Sequence, residues 1–339
     1  MDKLTSPWVS HEETLSEAGY YPELASASQH STIFHSPEWL KVVSCIDLRR
    51  VQILRVAQGQ ETIGVLPHVH LRHGPLRVIL SPPAGLGMQY LGPLIPHFEG
   101  MKQDKRERRL DAIAGAVIEH MRSTRSRLCQ MRWTPGLADA RAFQWQGFEA
   151  LPRYSYVLPL SDEKSMWERL KQEARLHIKR HSEAISTSVG TDGDWSTFED
   201  RTRARYADQG LTAPLPATYL RALRAELGDR LVLMVARRAG EWLGAAALIR
   251  FRERLILWQG ALKGTPGLPV NDILVWNSIQ FGCEAGCREF ELMGANTKRI
   301  SEFKAKFNPG LETYLELRKG PPFVSSAFKL AARLRSGNP

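Results

Sequence analysis

Leu231-Val232-Leu233-Met234-Val235-Ala236, a turn at Arg238-Ala239-Gly240 and then Trp242-Leu243-Gly244-Ala245-Ala246 form a pattern that occurs twice in the chain. The earlier copy is Ile53-Leu54-Arg55-Val56-Ala57, a Gln58-Gly59-Gln60 turn and Thr62-Ile63-Gly64-Val65-Leu66-Pro67. Aliphatic runs joined by a short glycine-bearing turn read as β-hairpins, since glycine supplies the positive φ that such turns demand. Each hairpin is followed by a further strand, a helix and another strand. In the first half these are expected around Met88 to Leu91, Asp104 to Met121 and Leu128 to Trp133; in the second, at Arg254 to Ala261, Asn271 to Cys287 and Glu289 to Met293. Two copies of β-β-β-α-β imply an α/β (α+β) chain of two similar tandem domains, each a mixed twisted sheet flanked by helices.

The strand Tyr154 to Leu158 runs into Pro159-Leu160-Ser161-Asp162, which sets the expected hinge at Pro159 to Lys164. Residues 1–159 then form the first domain and 160–320 the second. Past the hinge, Trp167, Leu170, Ala174, Ile178, His181 and Ile185 recur at helical spacing, with Ser165 and Glu168 reading as a capping box. After Pro321-Pro322, residues 321–339 carry a short helix from Phe323 to Arg335, expected to return to the first domain. Its Lys329, Arg333 and Arg335 allow a second reading, weak association with an anionic membrane surface.

The chain has 339 residues, is 43% hydrophobic and carries a formal net charge of +10. That length and apolar content support two cores and exclude a disordered or fibrous protein. No stretch approaches the ~20 apolar residues of a membrane span, and no apolar segment follows the first charges, so a cytoplasmic location is expected. Cys45, Cys129, Cys283 and Cys287 are too scattered for a disulfide framework or a zinc knuckle. The basic balance favours an anionic partner such as a CoA thioester, a tRNA or a membrane.

Four further segments carry a resemblance. They are Phe34-His35-Ser36-Pro37-Glu38-Trp39-Leu40-Lys41-Val42-Val43, Tyr90-Leu91-Gly92-Pro93-Leu94-Ile95, Arg175-Leu176-His177-Ile178-Lys179-Arg180, and Phe290-Glu291-Leu292-Met293-Gly294 followed by Ile300-Ser301-Glu302-Phe303-Lys304-Ala305-Lys306-Phe307-Asn308. In this order they resemble the FemAB and BioF2-like branch of the GNAT superfamily, whose last segment is a strand-Gly-loop ending in Phe-Lys-x-x-Phe-Gly. The resemblance implies two tandem GNAT-like domains. It also implies an N-acyltransferase that moves an acyl group from an activated donor, acyl-CoA (acetyl-CoA) foremost as co-substrate, to a small-molecule, peptide or glycan-linked amine. The alternatives are a Fem-type enzyme using aminoacyl-tRNA and a non-catalytic nucleic-acid or partner-binding module on the same fold. Departures from the pattern are Leu91 where Fem peptidyltransferases carry arginine, and Asn308 in place of glycine. The loop Lys263-Gly264-Thr265-Pro266-Gly267-Leu268-Pro269 is also not the usual pyrophosphate loop.

Amine attack on an activated acyl group needs no protein nucleophile, because positioning and oxyanion stabilisation supply most of the acceleration. Lys304 is the first candidate: Phe303 and Phe307, four apart, anchor one helical face and leave its ammonium for an oxyanion or phosphate. Glu291 is a candidate general base or a counter-charge to Lys304 or Arg288. Arg175 and Lys179, with Lys171, recur at four-residue intervals and suit a phosphate clamp or a solvated face. Lys263, Gly264 and Gly267, with the helix start near Asn271, suit an anion loop. Tyr90, Trp258 and Gln259 are expected to line the substrate cleft or the core. His177 and His181 have an i, i+4 spacing but no intervening glutamate and no third ligand, so no metal is expected.

Overall fold

A computed structural model describes residues 8–46, 50–74, 76–208, 210, 215–262 and 267–321. The chain divides into two compact units, Met1–Arg153 with Tyr314–Pro339, and Tyr154–Thr313. The division falls inside strands on both sides. In chain order the first part contains β1 (Val9–Thr14), α1 (Tyr21–Ala27), α2 (Pro37–Cys45), β2 (Val51–Gln58), β3 (Glu61–His73), β4 (Leu76–Ser81), α3 (Gln103–Ser123), β5 (Leu128–Arg132), α4 (Arg141–Trp145) and β6 (Glu149–Pro159). There follow α5 (Glu163–Arg169), α6 (Gln172–His181), β7 (Ser186–Val189), α7 (Asp192–Ala207), α8 (Ala217–Leu227), β8 (Leu231–Arg238), β9 (Glu241–Phe251) and β10 (Arg254–Leu262). The last are α9 (Val270–Glu284), β11 (Glu289–Glu291), α10 (Lys298–Lys304) and β12 (Gly310–Lys319). The expected helix Phe323 to Arg335 lies outside the described residues.

Each unit repeats one topology. In the first unit β1, β2, β3 and β4 pair antiparallel, β4 and β5 pair parallel, and β5 pairs antiparallel with Glu316–Lys319 of β12. In the second, β7, β8, β9 and β10 pair antiparallel, β10 and β11 pair parallel, and β11 pairs antiparallel with Val157–Pro159 of β6. The closing strands are thus exchanged: the strand that follows the first unit's helices closes the second sheet, and the last strand closes the first.

Both hairpins form where the alternating aliphatic runs put them. The β8–β9 turn has positive φ at Ala239 (48°) and Gly240 (84°), as a two-residue type I′ turn requires. In the first half the third strand is β4, not Met88 to Leu91. That later segment is buried but irregular, tied down by Leu91 N–H to the Arg132 carbonyl and by reciprocal bonds between Leu94 and Val65. The helix expected from Ser165 onward is two helices. Its cap is Asp162, which accepts from the Ser165 N–H, and extended backbone at Leu170 and Lys171 separates α5 from α6.

The cores follow from the helix patterns. In the first unit Leu110, Ile113, Ala114, Val117 and Met121 of α3 pack with Leu54, Leu66, Ile79 and Trp133. In the second, α9 buries Ile273, Leu274, Val275, Trp276 and Ile279 against Leu248, Leu255 and Phe290, and α6 adds Ala174 and Ile178. Helix α9 is largely buried, with Asn277, Gln280 and Glu284 along its less buried side.

Gly92 explains part of the Tyr90 to Ile95 motif. Its φ is +88°, and a Cβ there would sit 3.0 Å from the Trp133 Cα, a backbone atom that cannot swing away. Gly92→Ala is therefore expected to destabilise the protein by about 2 kcal/mol or more, from left-handed backbone strain plus overpacking. Gly100→Ala, where a Cβ meets nothing within 4 Å, is expected to be near neutral. Urea unfolding of the two variants checks the difference.

Candidate functional site

In the second unit, β10 pairs with β11 only over Arg254–Ile256 against Glu289–Glu291, then continues to Leu262 beside β9 alone. The parallel pair therefore parts at its carboxyl ends, where open α/β sheets hold their ligands. A bulge between Leu257 and Gln259 marks the point of departure and re-aims Trp258. Trp258 is 5% exposed and belongs to the interior, while Gln259 is half-buried.

Glu291 ends β11 and is 1% exposed. Ser155 Oγ donates to it at 2.8 Å and Arg254 Nη1 approaches at 3.3 Å, with the same guanidinium bonding Glu289 and Glu312. Burial opposes the Arg254 charge, but the three carboxylates outweigh it and raise its pKa. Burial pushes the Glu312 carboxyl up. Glu291 is thus a fixed, paired carboxylate and not a freely approachable base.

Just beyond β11 the backbone enters the left-handed region at Met293 (φ 54°) and Gly294 (φ 25°). A non-glycine residue there stores strain that its surroundings must hold. What holds it is Lys304: its ammonium donates to the Met293 carbonyl at 2.7 Å and the Gly294 carbonyl at 3.1 Å. An ammonium has three N–H groups, so one remains for a ligand. Burial pushes the Lys304 pKa down to about 8, against the opposing pull of Glu291. The Phe303 and Phe307 rings, 5.8 Å apart, seat this turn, with Phe307 fully enclosed and Phe303 half-buried.

A second charged group was not legible in the sequence. Asp272, in the first turn of α9, is 3% exposed; it pairs with His177 Nδ1 of α6 at 2.8 Å and Lys306 Nζ at 3.6 Å. Lys306 also bonds Glu173 at 2.9 Å. Burial works against the Lys306 charge, yet Glu173 and Asp272 prevail and raise its pKa. With its Nδ1–H given to a buried carboxylate, a neutral His177 presents a lone pair at Nε2, and the ring is 38% exposed. The anion-attracting start of α9 is thus answered from within by Asp272, while neighbouring Asn271 is exposed.

Helix α6 has two flanks. Ala174 and Ile178 face the core, and Glu173 and His177 lie on the side of Lys306 and Asp272. Helical spacing puts Lys171, Arg175 and Lys179 on the other side. Lys179 is exposed, stands 5.9 Å over the Trp167 ring, and borders a groove of about 710 Å³ with Trp167, Trp276 and Asn277. Arg175 is half-buried one turn earlier and is not among the residues lining that groove. The basic stripe and the Glu173–His177 pair therefore lie on opposite flanks of α6. Gly267 is exposed with φ +81°, and Lys263 and Gly264 lie outside the described residues. Tyr90 is 1% exposed in the first unit, edge-on to Tyr314 at 4.8 Å, and is core rather than cleft.

The first unit has its own open groove, about 640 Å³, bordered by Arg122, Arg125, Arg127 and Lys319. Among the described residues no helix is long and apolar enough to cross a membrane.

Residues 164–305 match the family model of the acetyltransferase (GNAT) domain. No curated protein sequence matches the chain. Among solved structures, the crystal structure of FemX superposes with a TM-score of 0.66 at 9% identity, covering 91% of this chain and 96% of that one. A tandem GNAT protein from the clavulanic acid biosynthesis pathway gives 0.58 at 12% identity, covering 93% and 99%. L-PGS from Bacillus licheniformis gives 0.54 at 11%, covering 81% and 87%. At such identities these likenesses establish the fold. The match over 164–305 lies in the unit with the parted β10–β11 pair. The chain thus has the tandem GNAT fold, and its residues 164–305 match the acetyltransferase (GNAT) domain model.

Proposed function

We propose that the protein is an N-acyltransferase that takes an acyl group from acyl-CoA and delivers it to an amine, with the reaction centre in the second unit. The observation that carries this reading is the parting of β10 and β11 beside the Lys304 ammonium, within a domain of an acetyltransferase family. An extended thioester donor fits a strand edge by adding to it as a further strand would. The amine nitrogen attacks the thioester carbonyl, the C–N bond forms, the C–S bond breaks, and the thiolate leaves with a proton. Lys304 contributes its third N–H to the charge that develops on oxygen or on a donor phosphate. His177, oriented by Asp272, accepts the proton that the attacking amine sheds and passes that same proton to the departing thiolate. Glu291 acts as a counter-charge that keeps an ammonium stable in a half-buried place. The expected limits 1–159 and 160–320 give way to a division inside β6 and β12, at Arg153/Tyr154 and Thr313/Tyr314.

A second reading has its own observation. The Arg122, Arg125, Arg127 and Lys319 groove of the first unit suits a polyanion, as does the net charge of +10. The comparison structures include FemX and L-PGS, and in this reading the donor is an aminoacyl-tRNA. Ribonuclease treatment separates the two, since only the tRNA-dependent activity is lost.

Lys304→Ala is expected to lower kcat about 100-fold with little change in donor Kd if the ammonium serves the transition state, the usual size for one oxyanion donor. Lys306 is no neutral comparison, because it pairs with Asp272 and Glu173. The exposed Lys298 is, and Lys298→Ala is expected to leave the rate within twofold. Equal losses from both variants, with unfolding midpoints unchanged, would remove Lys304 from the mechanism.

The Lys304 pKa near 8 gives a pH test. The ammonium is the active form, so its contribution is present below about pH 8 and fades as pH rises through that value. The kcat/KM profile should show a falling limb near 8, and Lys304→Arg should move that limb upward by more than one unit, because guanidinium stays charged. His177→Gln is expected to cost about 100-fold in kcat, as loss of a general base does, and to weaken the dependence on acceptor-side proton transfer in solvent isotope measurements. An unchanged isotope effect and rate would exclude His177.

A further inference from the structure

On the α3-facing side of the first sheet, cross-strand register lines up Glu12, Leu54 and Leu66, and the next two residues on that face of β3 are His68 and His70. The apolar face under α3 therefore changes abruptly into imidazoles. His120, in the last turn of α3, meets them from above: the three rings have centroids 4.9, 5.1 and 5.2 Å apart. Their Nε2 atoms converge on one carboxylate oxygen of Glu12, at 2.9 Å from His68, 2.6 Å from His70 and 3.4 Å from His120. His68 Nε2 is also 3.3 Å from His70 Nε2. All four ligand atoms fall within 4.8 Å of one another.

Protons alone do not account for this arrangement. His68 is fully buried, and its Nδ1 lies 3.0 Å from the Leu66 carbonyl, which can only accept, so Nδ1 carries the hydrogen. A neutral His68 then aims an Nε2 lone pair at a carboxylate oxygen 2.9 Å away, which is repulsive. The escape would be an imidazolium in a fully buried place, which costs its full desolvation. His120 Nε2 is likewise enclosed, and the Glu12 oxygen at 3.4 Å is the contact it makes. Three imidazole nitrogens and a carboxylate oxygen thus face one another where β1, β3 and α3 meet.

We propose that Glu12, His68, His70 and His120 bind one divalent transition-metal cation of the zinc class. Three imidazoles and a carboxylate are a donor set that zinc takes, and a tetrahedral ion with bonds of about 2.0–2.1 Å sets its ligand atoms about 3.3 Å apart. Four of the ligand-atom separations, 2.6–3.4 Å, lie close to that value, and all pairs fall within 4.8 Å. The His68 Nδ1–H to Leu66 carbonyl bond is the kind of outer contact that fixes a metal-bound ring. The carboxyl end of α3 adds a favourable dipole for a cation. Glu12 and His70 are 29% and 32% exposed in their side chains, which gives the ion a way in. The site lies wholly in the first unit, apart from the proposed reaction centre. Its role is a clamp that ties β1 to β3 and α3.

The test uses full-length protein stripped with chelator and titrated with Co²⁺ and then Zn²⁺. Expected are the visible absorption of tetrahedral Co²⁺, one equivalent of Zn²⁺ by calorimetry, and a Zn²⁺-dependent rise in Tm. His70→Ala and Glu12→Gln, chosen at the solvent side to spare the fold, should each bind Zn²⁺ at least tenfold more weakly, and His181→Ala should bind like wild type. No Co²⁺ band and no one-to-one Zn²⁺ binding in the wild type would overturn the proposal. So would wild-type affinity in both His70→Ala and Glu12→Gln.

Discussion

A buried carboxylate at the end of a three-residue strand must be neutralised, and the neutralisation of Glu291 governs the second unit. Leaving a buried charge unpaired costs several kcal/mol. Arg254 of β10 and Ser155 of β6 supply the partners, so the two strands flanking β11 are both fastened to its last residue. Beyond that fastening β10 and β11 have nothing to keep them parallel and they separate. The same carboxylate lowers the cost of bringing Lys304 into a half-buried place. Lys304 in turn restrains the left-handed Met293–Gly294 turn. Strand ending, notch and ammonium are successive consequences of one buried charge.

The duplicated hairpins were legible because their signal is local: period-two aliphatic runs and turn residues at fixed offsets. The long helices α3 and α9 were legible for the same reason. The third strand of the first half was misplaced because Met88 to Leu91 is as buried as a strand, yet Gly92 and Pro93 hold it out of a regular ladder. The division of α5 from α6 was missed because Leu170 continues the helical spacing. The Lys171 N–H instead bonds the Lys306 carbonyl, a contact made by a distant part of the chain.

The candidate site was legible only where a motif marked it. Lys304, Phe303 and Phe307 fall where the Phe-Lys-x-x-Phe segment suggested, but the carbonyl partners of Lys304 depend on backbone angles at Met293 that no spacing reveals. The pairing of His177 with Asp272 joins α6 to α9 across 95 positions. The i, i+4 spacing of His177 and His181 is local and visible in the sequence, whereas the Asp272 partner is supplied by a distant helix. The proximity of Glu12, His68, His70 and His120 was not legible for the same reason, since they come together only once β1, β3 and α3 are assembled. Tyr90 and Trp258, read as cleft residues, are interior because aromatic side chains on or beside strands bury large areas.

The exchanged closing strands bear on how the chain matures during synthesis. The second unit is one continuous stretch from Tyr154 to Thr313, whereas the first needs residues 314–319 to pair with β5. Domains ordinarily fold in the order in which they leave the ribosome. Here the order is inverted: the part made first waits with the β5 edge open until β12 arrives, and the part made second completes its sheet before it. An open strand edge is a template for wrong pairing. The interval during which β5 is uncovered, set by the translation of roughly half the chain, is therefore the period when this protein is most exposed to chaperones and to aggregation.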